Sequence, residues 1–195
     1  MRVATRLVIA SLPVLAACAS APVIHYYTLD MAPSGRAAAA VALKVEDLRT
    51  SETLGRRQIL IQTSPTRIEY YATDQWAGDV GELVGQKLAA ELGPPAPGAP
   101  ELAVTGTVVD CGQVDRPGGG AAARLTLDVT VRDPASPGSA PPLLVRTYTC
   151  ERPAEQATPD AVARALSRCV EEIAAELARD AERAAAAAAQ PGTSG

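Results

Sequence analysis

The sequence predicts an α+β two-layer sandwich, a mainly antiparallel (mixed) sheet carrying two amphipathic helices in the order ββββ-α-βββ-α. Three observations lead there. Leu125, Leu127, Val129 and Val131 alternate with polar residues, the period of a half-buried strand. Val162, Leu166, Cys169, Val170, Ile173 and Leu177 recur at helical spacing and give that stretch one apolar face. Gly93-Pro94-Pro95 separates a first strand-rich block and its helix from a second. Helices with one apolar stripe must bury it, and a sheet face is the natural surface.

Taken in order, His25 to Leu29 is rich in β-formers and reads as a first strand. From Ala40 to Leu48, Val41, Leu43 and Val45 share a face opposite Lys44 and Glu46, a second strand. Gln58 to Gln62 is a third, and Ser64-Pro65 turns the chain into a fourth from Arg67 to Tyr71. Thr73 or Asp74 offers a cap for a helix over about Gln75 to Leu92, with Trp76, Val80, Leu83, Val84, Leu88 and Leu92 on its apolar face. Leu102 to Val109, Leu125 to Val131 and Leu143 to Cys150 form a second set of strands, joined by Gly/Pro/Ser loops as in a meander. Thr158 then caps the second helix, and Pro159 takes its first position. Phenylalanine is absent, so aliphatic side chains have to fill the core.

The N-terminus carries its own signal. Arg2 and Arg6 precede an apolar run from Leu7 to Leu15, and Ala16-Ala17-Cys18 follows. Small residues before a cysteine at that point resemble a bacterial lipobox, in which Cys18 is acylated and becomes residue one of the mature protein. The apolar run is about half the roughly 20 residues a spanning helix needs. The chain therefore divides into a signal peptide (1–17), a lipidated tether (18–24), one domain (25–182) and a disordered or frayed alanine-rich tail (183–195). Neither Ala19 nor Ser20 is an aspartate, which is the pattern of an outer-membrane address on the periplasmic side. Loss of Arg2 and Arg6 takes the formal charge from −4 to −6. Such a chain, with no basic tract, is a poor ligand for nucleic acid, so attachment to a membrane rests on the lipid.

Catalytic chemistry is hard to assemble from this sequence. It has one histidine, His25, which on a first strand reads as a surface residue and not as a base. No dinucleotide or P-loop pattern occurs, and Gly118-Gly119-Gly120 has no lysine after it. No enzyme, metal or cofactor is expected. Once Cys18 is lipidated, Cys111, Cys150 and Cys169 remain. Cys111 and Cys150 end strands that point the same way in a meander, so either they are joined or there is no disulfide. In both cases Cys169 acts as a small hydrophobe on the core face of its helix. An intervening strand would place the Cα atoms of Cys111 and Cys150 about 10 Å apart and forbid the bond.

Five of the six aromatic residues, Tyr26, Tyr27, Tyr70, Tyr71 and Trp76, lie in the first half. Neighbours on a strand face opposite sides, so each tyrosine pair turns one ring away from the core. Two readings follow: cover for a sheet edge, or a partner-binding face using Tyr27, Tyr71 and Trp76 with Arg57 nearby.

A lipobox cysteine, a short tether and then Tyr26-Tyr27-Thr28-Leu29 resemble the ABC-type transport auxiliary lipoproteins, the paraquat-inducible protein C-like family. Val45, Asp47 and Leu48, the strand Gln58 to Ile61, Tyr70-Tyr71, Trp76-Ala77 and the leucines at 83, 88 and 92 continue the resemblance. The chain departs from it in having no aromatic residue between Leu125 and Val131. The resemblance implies an accessory component of an MCE-type ABC transport system, docking the transporter's periplasmic part at the outer membrane for lipid transport. Its partners would be the MCE-domain periplasmic protein and the ABC transporter subunits, with ATP hydrolysed elsewhere. The alternative is an outer-membrane assembly lipoprotein, of the kind used in lipopolysaccharide assembly.

Overall fold

In the computed structural model, residues 21–34, 41–94 and 96–189 are described. Cys18, the signal peptide and residues 190–195 lie outside them. The strands are β1 (His25–Tyr27), β2 (Ala42–Thr50), β3 (Gln58–Ser64), β4 (Arg67–Trp76), β5 (Glu101–Asp115), β6 (Ala121–Arg132) and β7 (Leu144–Ala154). The helices are α1 (Val80–Leu92) and α2 (Pro159–Ala189), with a 3-10 turn at Glu52–Leu54. The predicted order holds, and both helices pack on one side of a seven-stranded sheet.

That sheet is mixed, with β5 as its spine. Antiparallel β6 and β7 lie on one side of β5. On the other side β2 pairs parallel with residues 101–108, and β3 pairs parallel with residues 112–114. Two strands thus share one flank of β5 end to end. Beyond β3, β4 closes the hairpin, and the short β1 adds to β4 in parallel. The β5–β6 turn uses Gly118, Gly119 and Gly120 at φ of 88°, 98° and 85°, a region that side chains with a Cβ disfavour.

The main core lies between β6 and α2. Leu125, Leu127, Val129 and Val131 are buried against the sheet side of Val162, Leu166, Val170, Ile173 and Leu177. Each such side chain contributes roughly 1.5–3 kcal/mol of burial free energy, which sets the position of α2. On α1, Val80, Leu83, Val84, Leu88 and Leu92 are buried as the periodicity predicts. At the start of α2, Thr158 Oγ1 accepts from Ala161 N–H at 3.4 Å, and Pro159 occupies the first helical position.

Two expectations are corrected. The first helix does not begin near Gln75. Tertiary partners keep the chain extended there: Trp76 N–H donates to Arg57 O at 2.7 Å and Ala77 N–H to Tyr27 O at 2.8 Å. Asp79 is the cap, accepting from Glu82 N–H at 3.1 Å, while Thr73 donates to Asp74. The second correction is the disulfide. Cys111, Leu125 and Cys150 are in register across β5, β6 and β7, so a strand separates the two cysteines. Cys150 bonds instead with Cys169, whose Cα lies 5.4 Å away, and Cys111 is free and buried. Residues 183–189 continue α2, since alanine needs no burial to favour helix.

Candidate partner-binding face

The helices do not cover the sheet evenly. α1 packs on β2 and β5, and α2 on β5, β6 and β7. β4, the end of β5 and the added β1 form a shelf beside the first turn of α2. Parity decides which side chains stand on it. Gln113 and Asp115 share the helix-side face of β5 with Cys111, and Tyr71 reaches them from β4.

Two of the predicted residues meet there. Tyr27 donates to Asp74 Oδ1 at 3.0 Å, and Tyr71 donates to Gln113 Oε1 at 2.6 Å. Gln113 passes the chain on, donating through Nε2 to Asp115 Oδ1 at 2.6 Å. Asp74 also accepts from Thr73 Oγ1 at 3.1 Å, and His25 Nδ1 lies 3.5 Å from its Oδ1. Both tyrosines are half-buried. Burial raises the pKa of Tyr71, and the charges of Asp115 and Asp74 raise it further. Burial, the Asp74 hydrogen bond and the charges of Asp74 and Asp160 do the same for Tyr27. Both phenols are therefore neutral donors at neutral pH. The result is a shelf of two fixed aromatic rings rimmed by Asp74, Asp115 and Asp160.

The other candidates go elsewhere. Trp76 is 2 % exposed and part of the core, so the contact role proposed for it is set aside. Burial wins because β4 extends far enough to turn that ring under α1, against Val80 and Val84. Arg57 is exposed in the turn before β3, and its carbonyl fixes the end of β4. Tyr70 faces the opposite side of the sheet, donating to Thr53 O at 2.8 Å beneath Arg56, whose guanidinium lies 5.2 Å from the ring centroid. Tyr26 is 61 % exposed at the edge. Sequence reasoning missed Gln113 and Asp115. Strict alternation from Val104 and Val108 would turn both residues outward. A register shift between Val108 and Asp110 reverses the parity and brings Cys111, Gln113 and Asp115 onto the helix side, so no signal in the sequence marked them.

A family model described as ABC-type transport auxiliary lipoprotein component matches residues 27–178. The chain belongs to that family. This auxiliary component thus carries the family's domain from Tyr27, on the shelf itself, to Ala178 in α2. No curated protein sequence matches it. Its fold is similar to the crystal structure of a Xanthomonas campestris protein of family DUF330, with TM-score 0.67 and 16 % identity over 86 % of this chain and 99 % of that one. A second crystal structure, of an uncharacterised protein, is similar at TM-score 0.62 and 16 % identity, over 82 % and 99 % of the respective chains. These likenesses concern the fold. Among the described residues, no group of three or more His, Cys, Asp or Glu side chains is placed to hold a metal. No described helix is long and apolar enough to cross a membrane.

Proposed function

We propose that this auxiliary component is a non-enzymatic adaptor of an MCE-type ABC transport system. Anchored through acylated Cys18 on the periplasmic side of the outer membrane, it docks the transporter's periplasmic part there for intermembrane lipid transport. The observation that carries the docking role is the shelf on which Tyr27 and Tyr71 stand fixed but half-open, outside the helix layer. Family membership supplies the transport context. Rigid aromatic rings with satisfied hydroxyls lose little entropy on binding, which suits them to a contact face. The rim of Asp74, Asp115 and Asp160 favours a partner presenting lysine or arginine, whose charge also interacts well with a tyrosine ring.

The test pairs folding with co-purification. Tyr27→Ala and Tyr71→Ala are each compared with wild type for thermal melting and for recovery with the MCE-domain protein from one membrane extract. The expected result is cooperative melting with loss of the partner. Variants that melt cooperatively and still recover the partner at the wild-type level would sink the docking face. Cys18→Ala tests the anchor separately: labelling by a radioactive fatty acid should vanish with outer-membrane fractionation, and retained labelling would refute the assignment.

A further inference from the structure

The outer flank of β2 is an open strand edge. Among the described residues, β2 pairs with β5 alone. Ala42 N–H donates to Pro100 O at 2.9 Å and Ser51 N–H to Val108 O at 3.0 Å, which fixes the backbone groups turned toward β5. In a parallel ladder these alternate, so Leu43 and Val45 turn their N–H and C=O groups outward. Near Leu48 the edge is closed, because α1 comes so near that a Cβ on Gly81 would lie 2.1 Å from the Leu48 carbonyl oxygen.

Past that point strand and helix leave a groove of about 420 Å³ between Val45–Leu48 and one side of α1. Gly85 lines it, and a Cβ there would meet the side chains of Leu48 and Val45 only at 3.8 Å. The chain's own packing would accept alanine at this position, and glycine keeps the groove wider. Glu46, Asp47, Asp79 and Glu82 all line the groove, and no lysine or arginine does. Lys44 approaches Glu46 at 3.9 Å and Arg49 reaches Asp47 at 3.3 Å, both from strongly exposed positions where such pairs are screened. Asp79 and Glu82 have no cationic partner among the described residues.

An open strand edge flanked by a helix is the arrangement that accepts an extended peptide as an added strand. We infer that the β2–α1 groove takes a basic, extended segment of a partner protein, paired to the outer edge of β2 at Leu43 and Val45, with its cationic side chains against Asp79 and Glu82. A second copy of this chain fits poorly. Two-fold pairing of β2 with itself would oppose Glu46, Asp47 and both sets of helix carboxylates to their like. The groove is separate from the tyrosine shelf, so it would give the protein a second contact independent of the first.

The test uses the full-length chain and a fluorescent ten-residue peptide of alternating lysine and threonine, read by anisotropy. The expected result is saturable binding that falls about tenfold or more when alternate peptide amides are N-methylated, because methylation removes the ladder and keeps the charge. Gly85→Arg, which fills the groove, should abolish binding without lowering the melting temperature, and Glu82→Gln should weaken it several-fold. Hydrogen exchange at Leu43 and Val45 should slow in the complex. Tyr27→Ala should bind the peptide normally, so failure here and failure of the docking face are distinguishable. Equal binding of the methylated peptide, undiminished binding by Gly85→Arg and Glu82→Gln, or no saturable binding by wild type would each overturn the inference. So would a concentration-dependent dimer that Gly85→Arg disperses and the peptide does not.

Discussion

Two carboxylate-centred clusters hold the N-terminal part of the chain, and they differ in their access to water. In the first, Leu29 to Ser34 lies across the helix layer. Lys87 Nζ donates to Ala32 O and to Glu91 Oε1, both at 2.7 Å, and approaches Glu171 at 3.4 Å. Glu91 also accepts from Ser34 N–H at 3.0 Å and from the Ser34 hydroxyl, and Asp30 N–H donates to Ser167 Oγ at 3.0 Å. The side chains of Lys87 and Glu91 are fully buried. In the second cluster, Tyr27, Asp74, Tyr71 and Gln113 tie β1 and β4 to the sheet but leave both rings half in solvent. Polar chemistry alone does not separate a fastening from a contact surface. Burial does, because a buried charge must be satisfied within the chain, whereas a half-open ring still has a surface to offer.

The largest expected effect falls on the buried side. Lys87→Ala leaves Glu91 buried without its cation and should cost about 3–5 kcal/mol in urea unfolding. Replacing both residues with apolar ones, as in Lys87→Met with Glu91→Leu, should recover most of that loss. If the single variant unfolds within about 1 kcal/mol of wild type, the strap is not held by this pair, and the contrast with the shelf collapses.

Next comes the fastening on the far side of the helix layer. The Cys150–Cys169 bond spans 19 residues of sequence, and chain entropy assigns such a loop about 3 kcal/mol. Cys150→Ser should lose about that much. Intact protein should show Cys111 as a single thiol, alkylated only after unfolding, because it is fully enclosed. Three reactive thiols in oxidised protein would refute the pairing.

The two clusters should also differ in their response to pH. Burial alone would raise the pKa of Glu91, but hydrogen bonds from Lys87 and Ser34 and the Lys87 charge outweigh it and hold it below the usual carboxylate range. Asp180 behaves alike: burial raises it, and Tyr148, Arg183 and Arg146 more than reverse the effect. For a carboxyl lowered in the folded state, stability is present above the unfolded pKa of about 4 and is lost as pH falls through the folded value. The tyrosines have the opposite sign. Raised by burial first, Tyr27 and Tyr71 contribute stability below the unfolded pKa of about 10, and it is lost as pH rises through their folded values. Tyr148, raised by burial and Asp180, adds to that alkaline limb. Melting curves should therefore show Glu91→Gln flattening the acid limb and Tyr71→Phe the alkaline one. The reverse assignment would contradict both hydrogen-bond networks.

The smallest effect on stability is expected at the shelf. Tyr71→Phe removes one hydrogen bond and should cost about 1 kcal/mol. A loss above about 3 kcal/mol would mean that the shelf is core after all.

The start of the first helix was misread from the sequence for an identifiable reason. The apolar spacing of Val80 to Leu92 was legible, but Trp76 fits the same period and drew the predicted helix start about five residues too early, to Gln75 instead of Val80. Asp79-x-x-Glu82, an acidic cap with a glutamate three residues on, marked the true start and outranks periodicity there. Strand existence was easier to read than extent. β5 and β7 outrun their predicted ends at Val109 and Cys150 because neighbours continue to satisfy the backbone beyond the apolar stretches. The tyrosine pairs announced that one ring of each would face away from the core, yet not which rings would meet.

Local chemistry determined what the sequence could determine alone: the number and order of elements, the Thr158-Pro159 helix start, the apolar faces of both helices and the motifs of the family. These depend on residues within a turn or two of one another, so their spacing is written in the chain. Strand order was not, because pairing β2 and β3 on one flank of β5 depends on competition among distant edges. That order placed β6 between Cys111 and Cys150 and gave Cys150 to Cys169. It also set Tyr27, Tyr71 and Gln113 side by side, and it left the flank of β2 open along α1. Each of these is a relation between different elements of the chain, and it was decided only when the sheet closed around β5.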